Sequence, residues 1–367
     1  MTGRMMDHQK SSSRVACRQH NRYNLPMTNF DSATAVFDSY WKFAAERLGV
    51  YYRRLADPDG PWTHDPIIAA HRFTNSYRAA DRVSQFLIRE VQYREHRSQA
   101  PTEVFFRTLL FKIFNRIETW NHLERELGPL SWQSCDLNRI SDILDREISR
   151  GSRIYSAAYI MPSPSLGHKR KHANHLALLA HMIDDGLPGR LARASSLAAV
   201  YQMILAYPGL GPFLAFQYAI DLNYSTLIDF DESDFVVAGP GALDGISKCF
   251  HDGARLDATA IIHAMTDRQD REFARLGLDF KGLFGRRLQP IDCQNLFCEI
   301  SKYARLAHPE IAGISGRSRI KQQYRVKLPK AIITPFFPPK WKLAVRLPVT
   351  KAPNVERAAS WTQMSLL

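Results

Sequence analysis

The stretch Tyr207–Asp221, YPGLGPFLAFQYAID, sets a Pro-Gly-x-Gly-Pro turn directly before an apolar run with helical spacing. Gly209 and Gly211 permit backbone conformations that other residues avoid, so the chain can reverse sharply and bring bare amides close to an anion. Pro212 suits the first position of the next helix, where its missing N–H costs nothing, and the helix N-terminus it opens favours negative charge. Two readings follow: a hairpin that holds a nucleic-acid phosphate, or a tight turn between two core helices.

On both sides of this stretch apolar residues recur at three- and four-residue spacing and strand-like alternation is scarce, which predicts a mostly α-helical fold. Asp31 or Ser32 is placed to cap a first helix that Asp57-Pro58-Asp59-Gly60-Pro61 ends. A second helical block is expected from about Asp65 to Arg94, and a third through TEVFFRTLLFKIFNRIETWNHLERELG, closed by Gly128 and Pro129. The Pro/Ser/Gly-rich segment SRIYSAAYIMPSPSLGHKRKHANH interrupts the pattern. It predicts two helical lobes, about 31–160 and 167–310, within one domain of 31–321, with the hairpin at 207–212. Residues 1–30 form an expected disordered basic arm, and 322–367 a basic tail rich in Pro and aromatic residues. Within that tail Phe336, Phe337 and Trp341 can stack on bases or dock on the domain.

The chain has 367 residues, enough for a full hydrophobic core, and its net charge of +13 with a pI near 9.6 favours polyanionic partners. From Gly313 to Asn354 there is no acidic residue, while ten Lys and Arg, among them Arg317, Arg319 and Lys321, supply a phosphate-facing surface. No apolar run is long enough for a bilayer and nothing resembles a lipid anchor, so DNA leads over a membrane. Five cysteines, an odd number without C-x-x-C spacing, fit neither a disulfide framework nor a structural zinc site. With an N-terminus that lacks a secretory signal, they suggest a cytoplasmic protein, nuclear if the cell is eukaryotic.

Candidate functional residues fall into four groups. If HRFTNSYRAADRVSQFL is helical, Arg72, Asn75, Arg78, Arg82 and Gln85 share one free face. They would hold phosphates there, or form an ordinary solvated face with Asp81 as ion-pair partner. Asp292, Asn295, Glu299 and Lys302 share a face of IDCQNLFCEISKYAR, with Gln294 beside them, and form either a base- or amine-binding line or a surface array. His168, His172, His175 and His181 lie beside Lys169, Arg170 and Lys171, which would repel a cation; phosphate contact or a solvated face is expected, with no metal and no bound cofactor. Tyr155, Ser156 and Tyr159 suit a pocket or the core equally.

LAYPGLGPFLAFQYAIDL resembles the hairpin of the helix-hairpin-helix DNA glycosylase superfamily, in which such a turn precedes a catalytic aspartate by about two dozen residues. The resemblance implies Asp234 as that carboxylate, with Asp231 in reserve, placed to stabilise a developing cation or accept a proton. DFDESD can equally be a solvated loop. Lyase-type members carry a lysine where this chain has Phe213, so Schiff-base chemistry is not expected, and no four-cysteine iron–sulfur pattern occurs.

A denser resemblance covers roughly Phe37 to Lys321. PWTHDPIIAAHRFTNSYRAADRVSQFLIREV, RTLLFKIFNRIETW, GPFLAFQYAIDLNYS, FVVAGPGALDGISKCF and DCQNLFCEISKYAR resemble the helical domain of 5-hydroxymethyluracil DNA kinases. That domain is related to the alpha-glutamyl/putrescinyl thymine pyrophosphorylase group. The resemblance implies thymine-type base hypermodification, in which a hydroxymethyluracil in DNA is phosphorylated to a pyrophosphate ester and an amine or amino acid then displaces the pyrophosphate at the exocyclic carbon. No G-x-x-x-x-G-K-[ST] loop occurs in this sequence, so the phosphoryl transfer would fall to a separate P-loop DNA kinase. Phe213, Gln217 and Tyr159 would receive a base flipped toward Asp234. The alternatives are a DNA glycosylase, with Asp234 opposite a cationic sugar, and a non-catalytic module that presents DNA to the kinase.

Overall fold

The computed structural model describes residue 30 and residues 32–157, 161–324 and 334–347. Among these there are thirteen α-helices and only isolated bridge pairs in place of strands, so the protein is mostly α-helical. No helix among the described residues is long and apolar enough to cross a membrane.

Helix α1 (Ala35–Ala56) starts later than the sequence suggests. Thr34 caps it, accepting from the Val36 amide at 3.1 Å while its hydroxyl donates to the Lys248 carbonyl, so a distant helix end selects the cap. Asp57 ends it, as the turn chemistry predicts.

The helix expected from about Asp65 to Arg94 is broken. Asp65 caps a short α2 (Pro66–Ala70), after which residues 71–77 run without helical structure into a single 3-10 turn at Arg78–Ala80. Helix α3 (Arg82–Phe86) then passes into a wide π turn over Leu87–Gln92. Side chains from elsewhere take the backbone groups that a helix would have used: Glu299 accepts from the Thr74 amide at 3.0 Å, and Asp81 from the Asn75 amide at 2.7 Å.

The third expected helix divides into α4 (Pro101–Phe114) and α5 (Ile117–Leu127). Asn115 makes the break in the left-handed region, φ +48°, and Lys112 Nζ holds its side-chain oxygen at 2.9 Å. Gly128 closes α5 as expected. Helix α6 (Leu137–Ser149), capped by Asp136, leads into the interruption, and α7 (Lys171–Asp184), α8 (Leu187–Leu191) and α9 (Leu197–Leu205) follow it.

Helices α10 (Pro212–Asn223), α11 (Pro240–Cys249) and α13 (Pro290–Ala307) each begin on a proline; α12 (Ala258–Arg275) joins the last two. Helices α11 and α13 touch backbone to backbone. A methyl group on Gly245 would overlap the Phe297 carbonyl, and one on Gly241 would stand 2.9 Å from Cys298 Sγ. Helix α1 packs across this pair, with the Tyr40 and Phe297 rings 4.8 Å apart. Buried side chains from Val36 to Phe337 form one contiguous cluster that takes in both sides of the interruption.

Two of the four histidines, His172 and His175, belong to this core and not to a solvated face. His172 and His175 are each 1% exposed; His175 sits between the Tyr155 hydroxyl (2.7 Å) and the Pro162 carbonyl (2.8 Å), and His172 meets Ser141 Oγ at 3.1 Å. Burial pulls both imidazoles below their usual pKa, which favours neutral rings. His168 and His181 are exposed.

Candidate functional site

Of the two glycines in the turn between α9 and α10, Gly209 uses the conformation expected of it, whereas Gly211, at φ −76°, is ordinary extended backbone. Gly209 takes φ +79°, and a Cβ there would stand 3.2 Å from Pro164 Cβ, so both conformation and space select glycine. Tyr207 and Leu210 point inward; the Tyr207 hydroxyl meets Asp185 and receives Arg190 Nη2 at 2.9 Å. Pro208, Gly209, Gly211 and Pro212 remain exposed. Gly211 is the N-cap of α10 and has open space where a Cβ would be.

Behind this turn Phe213, Gln217 and Asp221 recur at four-residue spacing along one face of α10, the last two polar in a largely apolar helix. Asp221 is wholly buried and takes a two-pronged contact from Arg78, Nη1 to Oδ1 at 2.6 Å and Nη2 to Oδ2 at 2.9 Å; Lys112 Nζ adds a third at 3.0 Å. Burial pushes the Asp221 carboxyl up, but Arg78 and Lys112 outweigh it and hold the group below the usual carboxylate range. Arg78 Nε also donates to Gln217 Oε1 at 3.0 Å, and the Arg78 amide donates to Asp292 Oδ1 at 2.9 Å. Arg78 therefore ties α10 to the first turn of α13.

Arg78 and Asn75 are 4% and 6% exposed, which corrects the free arginine face expected of residues 72–85. That face needed a continuous helix, and the chain is not helical over residues 71–77. Arg72 is exposed and pairs its amide with the Gln322 carbonyl at 2.9 Å. Gln85 is half-buried and grips the backbone of Phe336 on both sides, accepting from its amide at 2.8 Å and donating to its carbonyl at 3.0 Å. The aromatic end of the tail thus docks on the domain. Trp341 meets the Tyr224 ring at 5.5 Å and lies 4.0 Å under the Arg286 guanidinium, while Lys340 donates to the carbonyls of Ser225 and Ile228.

The line on α13 is not a surface array. Asp292 and Glu299 are 4% and 5% exposed. Asp292 completes the cap of α13 by accepting from the Gln289 amide at 3.1 Å. Its carboxyl is pushed up to about 7 by burial and by the neighbouring Glu232, against the amides of Arg78 and Gln289. Lys302 stands 2.6 Å from Glu299 and over the Phe73 ring. Gln294 is wholly buried against the start of α11.

In DFDESD the buried acid is Glu232, paired with Arg286 at 3.1 Å and pushed up by burial. Asp231 and Asp234 are both exposed: Asp231 caps the Ser233 amide at 2.8 Å, and Asp234 accepts from Ser233 Oγ at 3.4 Å. Arg317, Arg319 and Lys321 are exposed on the segment after α13. Tyr159 lies outside the described residues. A cleft of about 260 Å3 between α5 and α6, edged by Arg116, His122, Glu147 and Arg153, includes none of the residues expected from sequence.

Asp221, Lys112, Glu232 and Arg286 were absent from the sequence expectations. Lys112 in LLFKIF and Asp221 in FQYAID gave a signal, because a charge inside an apolar helical run needs a buried partner.

These features define an all-helical domain in which an exposed, glycine-shaped helix entry is backed by a buried ion network. The chain belongs to the family described as "5-hmdU DNA kinase, helical domain", whose model matches residues 34–313. It is 24% identical over 291 residues to a protein named 5-hmdU DNA kinase from Bacillus phage SP10. That match covers 74% of this chain and 45% of the phage protein, so the chain spans less than half the length of the relative. No solved structure matches.

Proposed function

We propose that this protein acts in DNA base hypermodification. It holds DNA at the 207–212 hairpin, with Arg317, Arg319 and Lys321 as further phosphate contacts, and takes a hydroxymethyluracil-derived base out of the stack. It then assists displacement at the base's exocyclic carbon after a separate kinase has acted, with an amine or amino acid as co-substrate. The family match across residues 34–313 carries this reading. The exposed turn that leads into α10 and the net charge of +13 support the DNA contact.

Nucleoside mass spectrometry tests it. Hydroxymethyluracil DNA is incubated with the protein, with and without a DNA kinase, ATP and candidate amines. A new nucleoside that forms only in the full mixture is the expected result. Release of free base would mean glycosylase chemistry instead, and failure to bind DNA at low salt would sink both.

A second reading, a non-catalytic module that presents DNA to the kinase, is favoured by the exposure of Asp231 and Asp234. Asp234→Asn separates the two: it abolishes product formation if Asp234 is catalytic and leaves it unchanged if the domain only presents DNA.

A further inference from the structure

Two buried amide atoms beside the hairpin have no hydrogen-bond partner within the protein: Gln217 Nε2 and Gln294 Oε1. Gln217 is 2% exposed and Gln294 is wholly buried, so desolvation leaves each atom with unmet bonding capacity. The orientation of Gln217 is fixed. Its Oε1 accepts from Arg78 Nε, and a guanidinium can only donate, so the free atom must be the Nε2 donor. Gln294 directs Nε2 toward Cys298 Sγ at 3.4 Å, which leaves Oε1 as a free acceptor.

Both amides lie next to Phe213. Gln217 is one helical turn further along the same face of α10. A Cβ on Gly239 would stand 2.6 Å from the Phe213 ring and 3.2 Å from Gln294 Nε2, so ring and amide meet over that glycine. Phe213 is the partly exposed member of the group, and the exposed hairpin immediately precedes it.

We propose that Phe213 is a movable cover over a recognition notch, in which Gln217 and Gln294 bind the imide edge of an extruded uracil-type base. A uracil ring offers an acceptor at O4 beside a donor at N3–H, the complement of a fixed Nε2 donor and a free Oε1 acceptor. A cytosine ring offers an amino donor at that corner, which would face the Gln217 donor. Turned outward, the Phe213 ring stacks on the base it admits. The notch rests on the base-modification reading and gives it a substrate class, a pyrimidine with an intact imide.

The test measures affinity of the full chain for duplexes that differ only in one nucleotide, hydroxymethyluracil or hydroxymethylcytosine, so that the hydroxymethyl group is constant. The wild-type protein is expected to prefer hydroxymethyluracil by about tenfold or more, as hydrogen-bonded base readout does. Gln294→Leu should bring the ratio close to one while leaving the hydroxymethylcytosine affinity unchanged. Gln217→Leu should do the same, with thermal unfolding as a control because it also frees Arg78. Phe213→Ala, at a partly exposed position, should weaken hydroxymethyluracil binding by about fivefold or more, and Phe213→Tyr should retain it. If the wild type discriminates and Gln217→Leu and Gln294→Leu discriminate equally well, the notch is overturned and the base-modification reading stands. If the wild type binds both duplexes alike, the notch is overturned, and the base-modification reading is decided separately by the nucleoside assay.

Discussion

Asp221→Asn is the sharpest test of the buried centre. The carboxylate is wholly buried and neutralises Arg78 and Lys112, which are 4% and 5% exposed. An asparagine keeps the shape but removes the charge, turns one acceptor oxygen into a donor that faces a cation, and leaves two buried cations without their shared anion. Breaking a buried pair in this way costs about 3–5 kcal/mol. With an unfolding entropy of about 2.1 cal/mol/K per residue over roughly 300 ordered residues, a loss of 4 kcal/mol lowers the Tm by about 6 °C. Circular dichroism across a thermal scan, with urea unfolding for the free energy, measures it. Adding Lys112→Met to Asp221→Asn removes one stranded cation and should recover part of the loss. A loss below about 1 kcal/mol for Asp221→Asn, or a double variant less stable than the single, would refute the assignment of Asp221 as the anion that these cations require.

Asp292 has a raised folded-state pKa of about 7, so its contribution to stability is complete at low pH and is lost as pH rises toward and through 7. The Tm of the wild type should therefore fall between pH 5 and 8 relative to Asp292→Asn; parallel curves would show that the carboxyl does not titrate there. Gly209→Ala places a side chain at φ +79° against Pro164 and should cost about 1–2 kcal/mol, together with DNA affinity if the hairpin is the contact. Replacing Arg317, Arg319 and Lys321 together by Ala should weaken DNA binding across all sequences and flatten the dependence of log K on log salt by up to about three phosphate contacts, with no change in Tm.

The turn between α9 and α10 was legible because its determinants are local: Gly209 at the turn, proline at the helix start and an apolar helical run after it. The end of α1 at Asp57 and the end of α5 at Gly128 were legible for the same reason. The start of α1 was not, because Thr34 is chosen over Asp31 or Ser32 by a bond to Lys248, more than two hundred residues away. The break through residues 71–77 was hidden in the same way, since Glu299 and Asp81 take the amides of Thr74 and Asn75. Helical periodicity in HRFTNSYRAADRVSQFL gave Asn75 and Arg78 the wrong exposure. Nothing near Arg78 in sequence announces that its partners are Asp221, Gln217 and Asp292. The choice among the acids of DFDESD has a similar cause: all four look alike in sequence, and only the position of Arg286 singles out Glu232 for burial.

The buried ion network bears on the hairpin through the geometry of α10. Phe213, Gln217 and Asp221 recur every four residues, so fixing the azimuth of one fixes the others to within a fraction of a turn. Apolar packing alone would hold this helix weakly in rotation, because its buried side chains surround it and one apolar contact can replace another. Three directional contacts to Asp221, with Arg78 also bonded to Gln217, remove that freedom. A buried ion pair adds little stability over a hydrophobic substitute, so its effect here is on orientation. It sets where Phe213 stands over Gly239 and which way the first amides of α10 point. Exchange of Arg78, Lys112 and Asp221 together for apolar residues should therefore leave the fold standing while loosening the alignment of the hairpin, and DNA binding should suffer more than the Tm.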